Sequence, residues 1–323
     1  MKGGIGPPHS DRPMISQHPS LHVAVTGASG LLGRALVDAL MQRGHKVIAG
    51  VHRARHAWPP GMEILPLDLT IERSVSEFAT LAQADWIIHA AGMTDVDRCE
   101  TEAASAALLN HAATRTLVDA VRTMPTRIVY LSTDYVFDGQ NGPYREDGKP
   151  NPINVYGRTK YEGETAVRDA GAKQVIVRSA GFLGIGGPER PTFVERMIDT
   201  MRHHPPLRAA YDQLSNITPV EYLARSIVEI IEGGWSGLWH VAGQGVVSRY
   251  DLALQLARLL DVPSTEVQRV AYAELGRPAK RPLNGGLVVE KAIANLSTRC
   301  DPLDLALRKW KNRLVGSADP SLN

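Results

Sequence analysis

Hydrophobic and polar positions alternate along this chain between short β-like runs and stretches of helical length. His22 to Thr26 is apolar and β-branched, ends at a glycine, and reads as a strand. From Gly30 to Arg43 the period changes to 3.6. Leu32, Leu36 and Leu40 line one face, and Gly44 follows as a helix C-terminal stop. Further strands are expected at Lys46 to His52, Met62 to Pro66, Trp86 to Ala90, Arg127 to Ser132 and Gln174 to Ser179. Helices are expected at Glu72 to Ala82, from Asp97 to Thr123 as one long element, and at Asn154 to Asp169. This is the α/β pattern of a doubly wound parallel sheet of the Rossmann type, covered on both faces.

Past Ala180 the order loosens around Pro188, Pro191, Pro205 and Pro206. Helices are expected at 192–203, 219–232 and 248–260, and a strand at Leu238 to Val241. The chain therefore divides into a disordered leader over residues 1–20, a sheet domain over 21–180, and a smaller C-terminal lobe over 181–323. Part of that lobe is expected to return to the main core. Trp235 and Trp239 are read as packing residues of the lobe, and Leu252, Leu256 and Leu259 as its core.

Composition narrows the function classes. At 43% hydrophobic and 22% charged, the 323 residues can bury a large core. The net charge of +2 comes from intermixed acids and bases, so nucleic acid and anionic membrane surfaces are excluded as partners. No apolar run is long enough to span a membrane, and the polar leader lacks the apolar stretch of a signal peptide, so a cytoplasmic location is expected. Cys99 and Cys300 belong to no metal or CxxC pattern and are read as reduced thiols. The pair His203-His204 is read as loop, and no metal site is expected.

The turn Gly27-Ala28-Ser29-Gly30-Leu31-Leu32-Gly33 follows the first strand and opens the first helix. Glycines there let backbone N–H groups approach a pyrophosphate, and the helix N-terminus adds partial positive charge. The turn therefore implies a bound dinucleotide and marks 21–180 as a dinucleotide-binding domain. Its GxxGxxG spacing points to the short-chain dehydrogenase/reductase superfamily. The second strand ends in His52-Arg53-Ala54-Arg55, with no carboxylate to hold a ribose 2′-hydroxyl. Arg53 and Arg55 suit a 2′-phosphate, which favours NADP(H) over NAD(H). Asp68 and Leu69 fit either an adenine contact or a helix N-cap region, and Ala90-Ala91-Gly92 offers small residues where backbone must lie against the cofactor.

Tyr156 and Lys160 share one helix face at i, i+4 spacing. An ammonium beside a phenol favours the phenolate and is expected to lower the Tyr156 pKa. Thr133 closes the fifth strand, at the carboxyl edge of the sheet where ligands bind.

Together with Thr26-Gly27-Ala28-Ser29-Gly30, four further stretches resemble an extended short-chain dehydrogenase/reductase of the dTDP-4-dehydrorhamnose reductase group. They are Thr94-Asp95-Val96-Asp97, Ser132-Thr133-Asp134-Tyr135-Val136-Phe137-Asp138-Gly139, Asn154-Val155-Tyr156-Gly157-Arg158-Thr159-Lys160 and Gly163-Glu164. Asp212-Gln213, Gly237-Leu238-Trp239-His240 and Arg281-Pro282 extend the likeness. The resemblance implies reduction of a nucleotide-linked 4-keto-6-deoxysugar. Thr133 would hydrogen-bond the substrate carbonyl, Tyr156 would protonate it, and Lys160 would tune Tyr156 and bind the nicotinamide ribose. It also implies a sugar site at Val96, Asp134, Tyr135 and Gln213, with Asp212 and Thr218 nearby, a helix-distorting role for Asn110, and a homodimer. One departure stands out. Where the group carries Arg-Thr-Ser-Trp, with the indole packing on the sugar, this chain has Arg178-Ser179-Ala180-Gly181, and Phe182 is the nearest replacement ring. Gly30-Leu31-Leu32-Gly33-Arg34, Arg53-Ala54-Arg55 and Pro143-Tyr144-Arg145-Glu146 are also similar to the regulatory β subunit of methionine adenosyltransferase, an NADP-binding partner protein. An epimerase or dehydratase that recycles bound cofactor is the third reading.

Overall fold

A computed structural model describes residues 19–52, 58–59, 62–171, 173–186, 191–203 and 206–316. Seven strands form one fully parallel sheet: β1 (His22–Thr26), β2 (Lys46–Val51), β3 (Glu63–Pro66), β4 (Trp86–His89), β5 (Arg127–Thr133), β6 (Val175–Ser179) and β7 (Gly237–His240). Their spatial order is β7-β6-β5-β4-β1-β2-β3. The order reverses at the β1–β4 junction, and that switch point opens a crevice at the carboxyl edge where an open α/β sheet takes its ligand.

Successive side chains of β1 serve opposite cores, as the two-residue period of a strand requires. Val23 and Val25 join one core with Leu36 and Leu40 of α1 (Leu31–Gln42). Ala24 joins the other with Val75 and Phe78 of α2 (Glu72–Leu81). Both faces of the central strands are dry, so β1 and β4 read as nearly continuous apolar runs, while the edge strand β3 is largely exposed.

The region expected as one helix from Asp97 to Thr123 is broken. It consists of α3 (Val96–Thr101), α4 (Ala103–Ala107), a π-helical turn at Leu108–Ala112 and α5 (Ala113–Ala120). The distortion has a local cause in the buried Asn110. Its Oδ1 accepts the Met93 N–H at 2.8 Å, and its Nδ2 donates to the Met93 carbonyl at 3.0 Å and to Thr159 Oγ1 at 3.1 Å. A side chain tied to the loop after β4 widens the helical turn that carries it.

Next comes α6 (Val155–Asp169), capped by Asn154, whose Oδ1 accepts the Gly157 N–H at 2.8 Å. Later helices are α7 (Phe193–His203), α8 (Val220–Glu232), α9 (Arg249–Leu259), α10 (Glu290–Asn295) and α11 (Leu303–Gly316). Leu223, Ile227 and Ile231 of α8 pack into the same core as α1, and β7 pairs with β6. The lobe has its own apolar centre in Val194, Ile198, Leu252, Leu256 and Trp310. Trp239, expected in that lobe, lies instead on β7 in the core of the central sheet, with Trp235 edge-on to it. Both cysteines are buried and free.

Candidate active site

The glycine turn lies at the switch point. Gly27 has φ +67°, and a Cβ there would stand 2.9 Å from the Ala91 Cα. A Cβ on Gly33 would overlap the Gly27 carbonyl, so glycine is what lets α1 start against the strand. Gly30 is the N-cap of α1, with no side-chain cap and no acidic residue in the first turn. Leading N–H groups without a capping side chain suit a phosphate. The loop after β4 borders the same crevice, where the Thr26 hydroxyl accepts the Ala91 N–H at 3.1 Å. His89 lies behind it, 2.8 Å from Thr26 Oγ1 and 3.1 Å from Thr114 Oγ1. Burial holds its pKa down to about 3, so it is a neutral link inside the sheet.

At the outer edge of the crevice, Asp68 is engaged within the chain. Its Oδ1 accepts Thr70 N and Oγ1 at 2.9 and 2.7 Å, and Oδ2 lies 3.3 Å from His52 Nε2. These bonds, led by Thr70, hold the carboxyl below its ordinary range. Asp68 thus shapes the turn into α2, and Leu69 is half-buried against the second core. Arg53 and Arg55 lie outside the described residues.

The Thr133 and Tyr156 hydroxyls meet within hydrogen-bond reach at the end of β5, and Lys160 follows Tyr156 one turn later on α6. Gly157 makes this approach feasible, because a Cβ there would overlap the Tyr135 carbonyl. Tyr156 is half-buried with its ring 5.6 Å from that of Tyr135, edge to face. Enclosure pushes the phenol pKa up, against the opposing effect of the Thr133 hydroxyl within hydrogen-bond reach. The lowering expected from Lys160 does not arise from the protein alone. Burial instead drives Lys160 itself down to about 7, while Glu164 pulls the other way. The ammonium nitrogen sits 4.0 Å above the Tyr130 ring.

Glu164 anchors this face of α6 from beneath. Its buried carboxylate accepts Ser132 Oγ at 2.5 Å, Arg178 Nε and Nη2 at 2.7 Å each, and Arg168 Nη2 at 2.6 Å. Gly163 has no room for a side chain, since a Cβ would meet the Tyr130 hydroxyl and stand 2.7 Å from the Asn110 carbonyl.

The sugar-site candidates receive different assignments. Tyr135 and Asp134 lie directly after Thr133, and Val96 opens α3. Gln213 is half-buried, and its carbonyl accepts the Arg249 N–H at 3.1 Å. Asp212 Oδ1 is taken by the Tyr272 N–H at 2.7 Å. Thr218 is a structural pin, donating to the Ala180 carbonyl at 2.6 Å and accepting Gly243 N–H at 3.1 Å. Gly181 has φ +53°, and a Cβ would overlap the Asn216 carbonyl, so this backbone admits no tryptophan there. Phe182 packs against the first core and does not replace the missing indole.

Motif reading assigned no site role to two cations beside Tyr135, although Arg281 lies in one of the matching stretches. Arg281 pairs with Asp97 and donates to the Ala279 carbonyl at 2.8 Å, and Arg249 of α9 lies over the Phe193 ring at 4.4 Å. No local pattern marks Arg249, which is brought to Asp134 by tertiary packing across more than a hundred residues. For Arg281, the acidic Asp97 in an already conspicuous stretch was the available signal.

The sequence model of the RmlD substrate binding domain matches residues 21–316. The chain belongs to that family. Within and around the family, it is 34% identical over 293 residues to the dTDP-4-keto-6-deoxy-D-glucose reductase of Streptomyces niveus, covering 86% of this chain and 96% of the relative. It is 30% identical over 277 residues to the methionine adenosyltransferase 2 subunit beta of Bos taurus, covering 83% and 80%. The dTDP-4-dehydrorhamnose reductase of Bacillus anthracis, solved in complex with NADP, superposes with a TM-score of 0.78 at 27% identity, covering 91% of this chain and all of that one. The family and these neighbours agree with the Rossmann-type sheet described above. Among the described residues no helix is long and apolar enough to cross a membrane, and no cluster of three potential metal ligands occurs.

Proposed function

We propose that this protein is an NADPH-dependent reductase of a nucleotide-linked 4-keto-6-deoxysugar or a closely related ketone, acting in the cytoplasm. The observation that carries the reading is the hydrogen-bond approach of the Thr133 and Tyr156 hydroxyls at the end of β5, with Lys160 one turn further along α6, near a glycine turn that fits a dinucleotide. The fit rests on the α1 N-terminus, which has no side-chain cap, and on Gly27, whose bare Cα lets the turn pack against Ala91 and leaves the leading N–H groups uncovered by side chains.

Gly27, Ser29, Gly30, Leu31, Leu32 and Gly33 would hold the pyrophosphate. Ala90, Ala91 and Gly92 would line the cofactor, and Asp68 and Leu69 would border the adenine. Arg53 and Arg55 would take the 2′-phosphate. When bound, the reduced nicotinamide supplies hydride to the carbonyl carbon. The protein's part is to steady the carbonyl oxygen through Thr133 and to deliver the Tyr156 proton to it, which completes the alcohol. An elevated phenol pKa keeps that proton in place at neutral pH. Lys160, protonated below about 7, stabilises the phenolate left behind and binds the ribose. Val96, Tyr135 and Gln213 would contact the sugar, with the buried Asp134 behind Thr133.

The test is Tyr156→Phe. NADPH oxidation with a panel of keto-sugar nucleotides should fall by 10²-fold or more, on the order expected for a lost proton donor, with NADPH affinity within about two-fold. Undiminished turnover in the variant would refute the role. Failure of the unaltered protein to oxidise NADPH with any of these ketones, together with fixed-stoichiometry co-purification with a synthetase, would favour the regulatory-subunit reading instead.

A further inference from the structure

The Thr133 hydroxyl has one proton and two lone pairs to place. Its oxygen accepts the Tyr135 N–H at 3.2 Å, lies 3.1 Å from Asp134 Oδ1 and is within hydrogen-bond reach of the Tyr156 hydroxyl. A carboxylate only accepts, so opposite ionised Asp134 the Thr133 proton is committed to that contact. A protonated Asp134 reverses the bond. The carboxyl O–H then fills the second lone pair of Thr133, and the hydroxyl proton is released towards the Tyr156 side, where a carbonyl oxygen bound beside that phenol can take it. We propose that Asp134, as its neutral acid, is the positioning residue that aims the Thr133 hydroxyl at the substrate, an inference that rests on the reductase reading above.

The surroundings of Asp134 favour this form. The side chain is buried, with 3% of the residue exposed. Gly285 packs over it so tightly that a Cβ there would stand 2.9 Å from Oδ2. The Ser215 hydroxyl, 3.4 Å from Oδ2, also faces the Asn216 carbonyl at 3.2 Å, so it is a weak donor to the carboxylate. The charged and titratable groups facing Asp134 are Arg249 from α9, Tyr135 from its own turn and Tyr156 from α6. Arg249 favours ionisation but forms no ion pair with Asp134 among the described residues, and its buried Nη1 has no acceptor there. Burial outweighs Arg249 and the Thr133 bond and holds the Asp134 pKa up to about 7, so both protonation states are populated in the neutral range.

Two measurements test the proposal. The first is kcat/KM against pH for the unaltered protein, Asp134→Asn and Asp134→Ala. An asparagine amide donates to Thr133 at every pH. Asp134→Asn should therefore retain activity within about ten-fold while its alkaline limb loses one unit of limiting log slope, the unit owed to Asp134. Lys160 titrates in all three proteins and cancels from that comparison. Asp134→Ala should lose about 10²-fold with NADPH affinity unchanged. Equal limiting slopes in the unaltered and Asn proteins would overturn the proposal, as would equal losses in the Asn and Ala variants.

The second measurement needs no turnover. A ¹³C-carboxyl NMR titration should place Asp134 near pH 7, with its signal assigned by its loss in Asp134→Asn. Thr133→Val should raise the midpoint, because it removes a donor to the carboxylate. A midpoint below about pH 5, or one indifferent to Thr133→Val, would refute the coupling. Absence of NADPH oxidation in the unaltered protein would count against the reductase reading, while the titration still decides the Asp134–Thr133 coupling.

Discussion

Replacing Glu164 by Gln tests whether the buried ion pair beneath α6 holds the active site together. The substitution keeps the shape but removes the charge that faces Arg178 through two hydrogen bonds of 2.7 Å, with both side chains almost wholly out of water. Arg178 then keeps a full charge in the interior without its counter-ion, and breaking such a pair costs about 3–5 kcal/mol. That is a large share of the roughly 5–15 kcal/mol by which a protein is stable. At about 2 °C per kcal/mol for a large domain, the thermal midpoint at pH 7 should fall by roughly 6–10 °C. Scanning calorimetry reads this directly. Adding Arg178→Met should recover much of the loss, because the stranded charge is then gone. Arg178 chiefly holds the Glu164 pKa below its ordinary value. The pair's contribution is therefore complete above the unfolded pKa of about 4.3 and disappears as pH falls through the depressed folded value. The gap between the unaltered protein and Glu164→Gln should accordingly close in acid. A midpoint within about 1 °C of the unaltered protein at pH 7, or a double variant as unstable as the sum of the singles, would show that the network carries no such strain.

Three other perturbations have defined outcomes. Gly181→Ala combines a left-handed backbone with a collision at the Asn216 carbonyl, and should cost at least about 1–3 kcal/mol in urea unfolding; a loss below about 0.5 kcal/mol would show that the loop simply moves. Lys160→Met should abolish turnover yet stabilise the fold near pH 7. The folded pKa of about 7 lies below the unfolded value of about 10.4, so the unfolded chain binds more protons between them and stability rises with pH across that window. The gain from Met should shrink towards pH 10, and equal stability at all pH values would contradict a buried, depressed lysine. Arg53→Ala combined with Arg55→Ala should weaken NADPH much more than NADH in fluorescence titrations, and equal losses would remove the 2′-phosphate role.

Features built from local chemistry were legible in the sequence. The glycine turn, β1, α1 and the shared helix face of Tyr156 and Lys160 each follow from residue type and spacing. The break around Asn110 was signalled only by the family resemblance and not by residue periodicity, because its cause is a pair of hydrogen bonds to Met93 on another segment. A window of helix-forming residues from Asp97 onward therefore reads as continuous. Trp239 was misplaced for a related reason. Four residues from Gly237 to His240 look alike whether they edge a small lobe or a large sheet, and only pairing with β6 distinguishes them. The protonation state of the site was equally hidden. Lysine beside tyrosine states a charge relation, whereas the pKa values of both follow from how much water the completed fold excludes.

The late return of the chain to its first sheet affects how the protein must be made. When a ribosome has released the first two hundred residues, six strands and α1 exist, but α8 and β7 do not. Leu36 and Leu40 then lack the Leu223, Ile227 and Ile231 that share their core, and the free side of β6 is an unpaired edge. The nascent protein must carry a greasy, half-roofed sheet until residue 240 has emerged. Cutting the gene after β6 would therefore yield a sticky fragment rather than a portable cofactor-binding module.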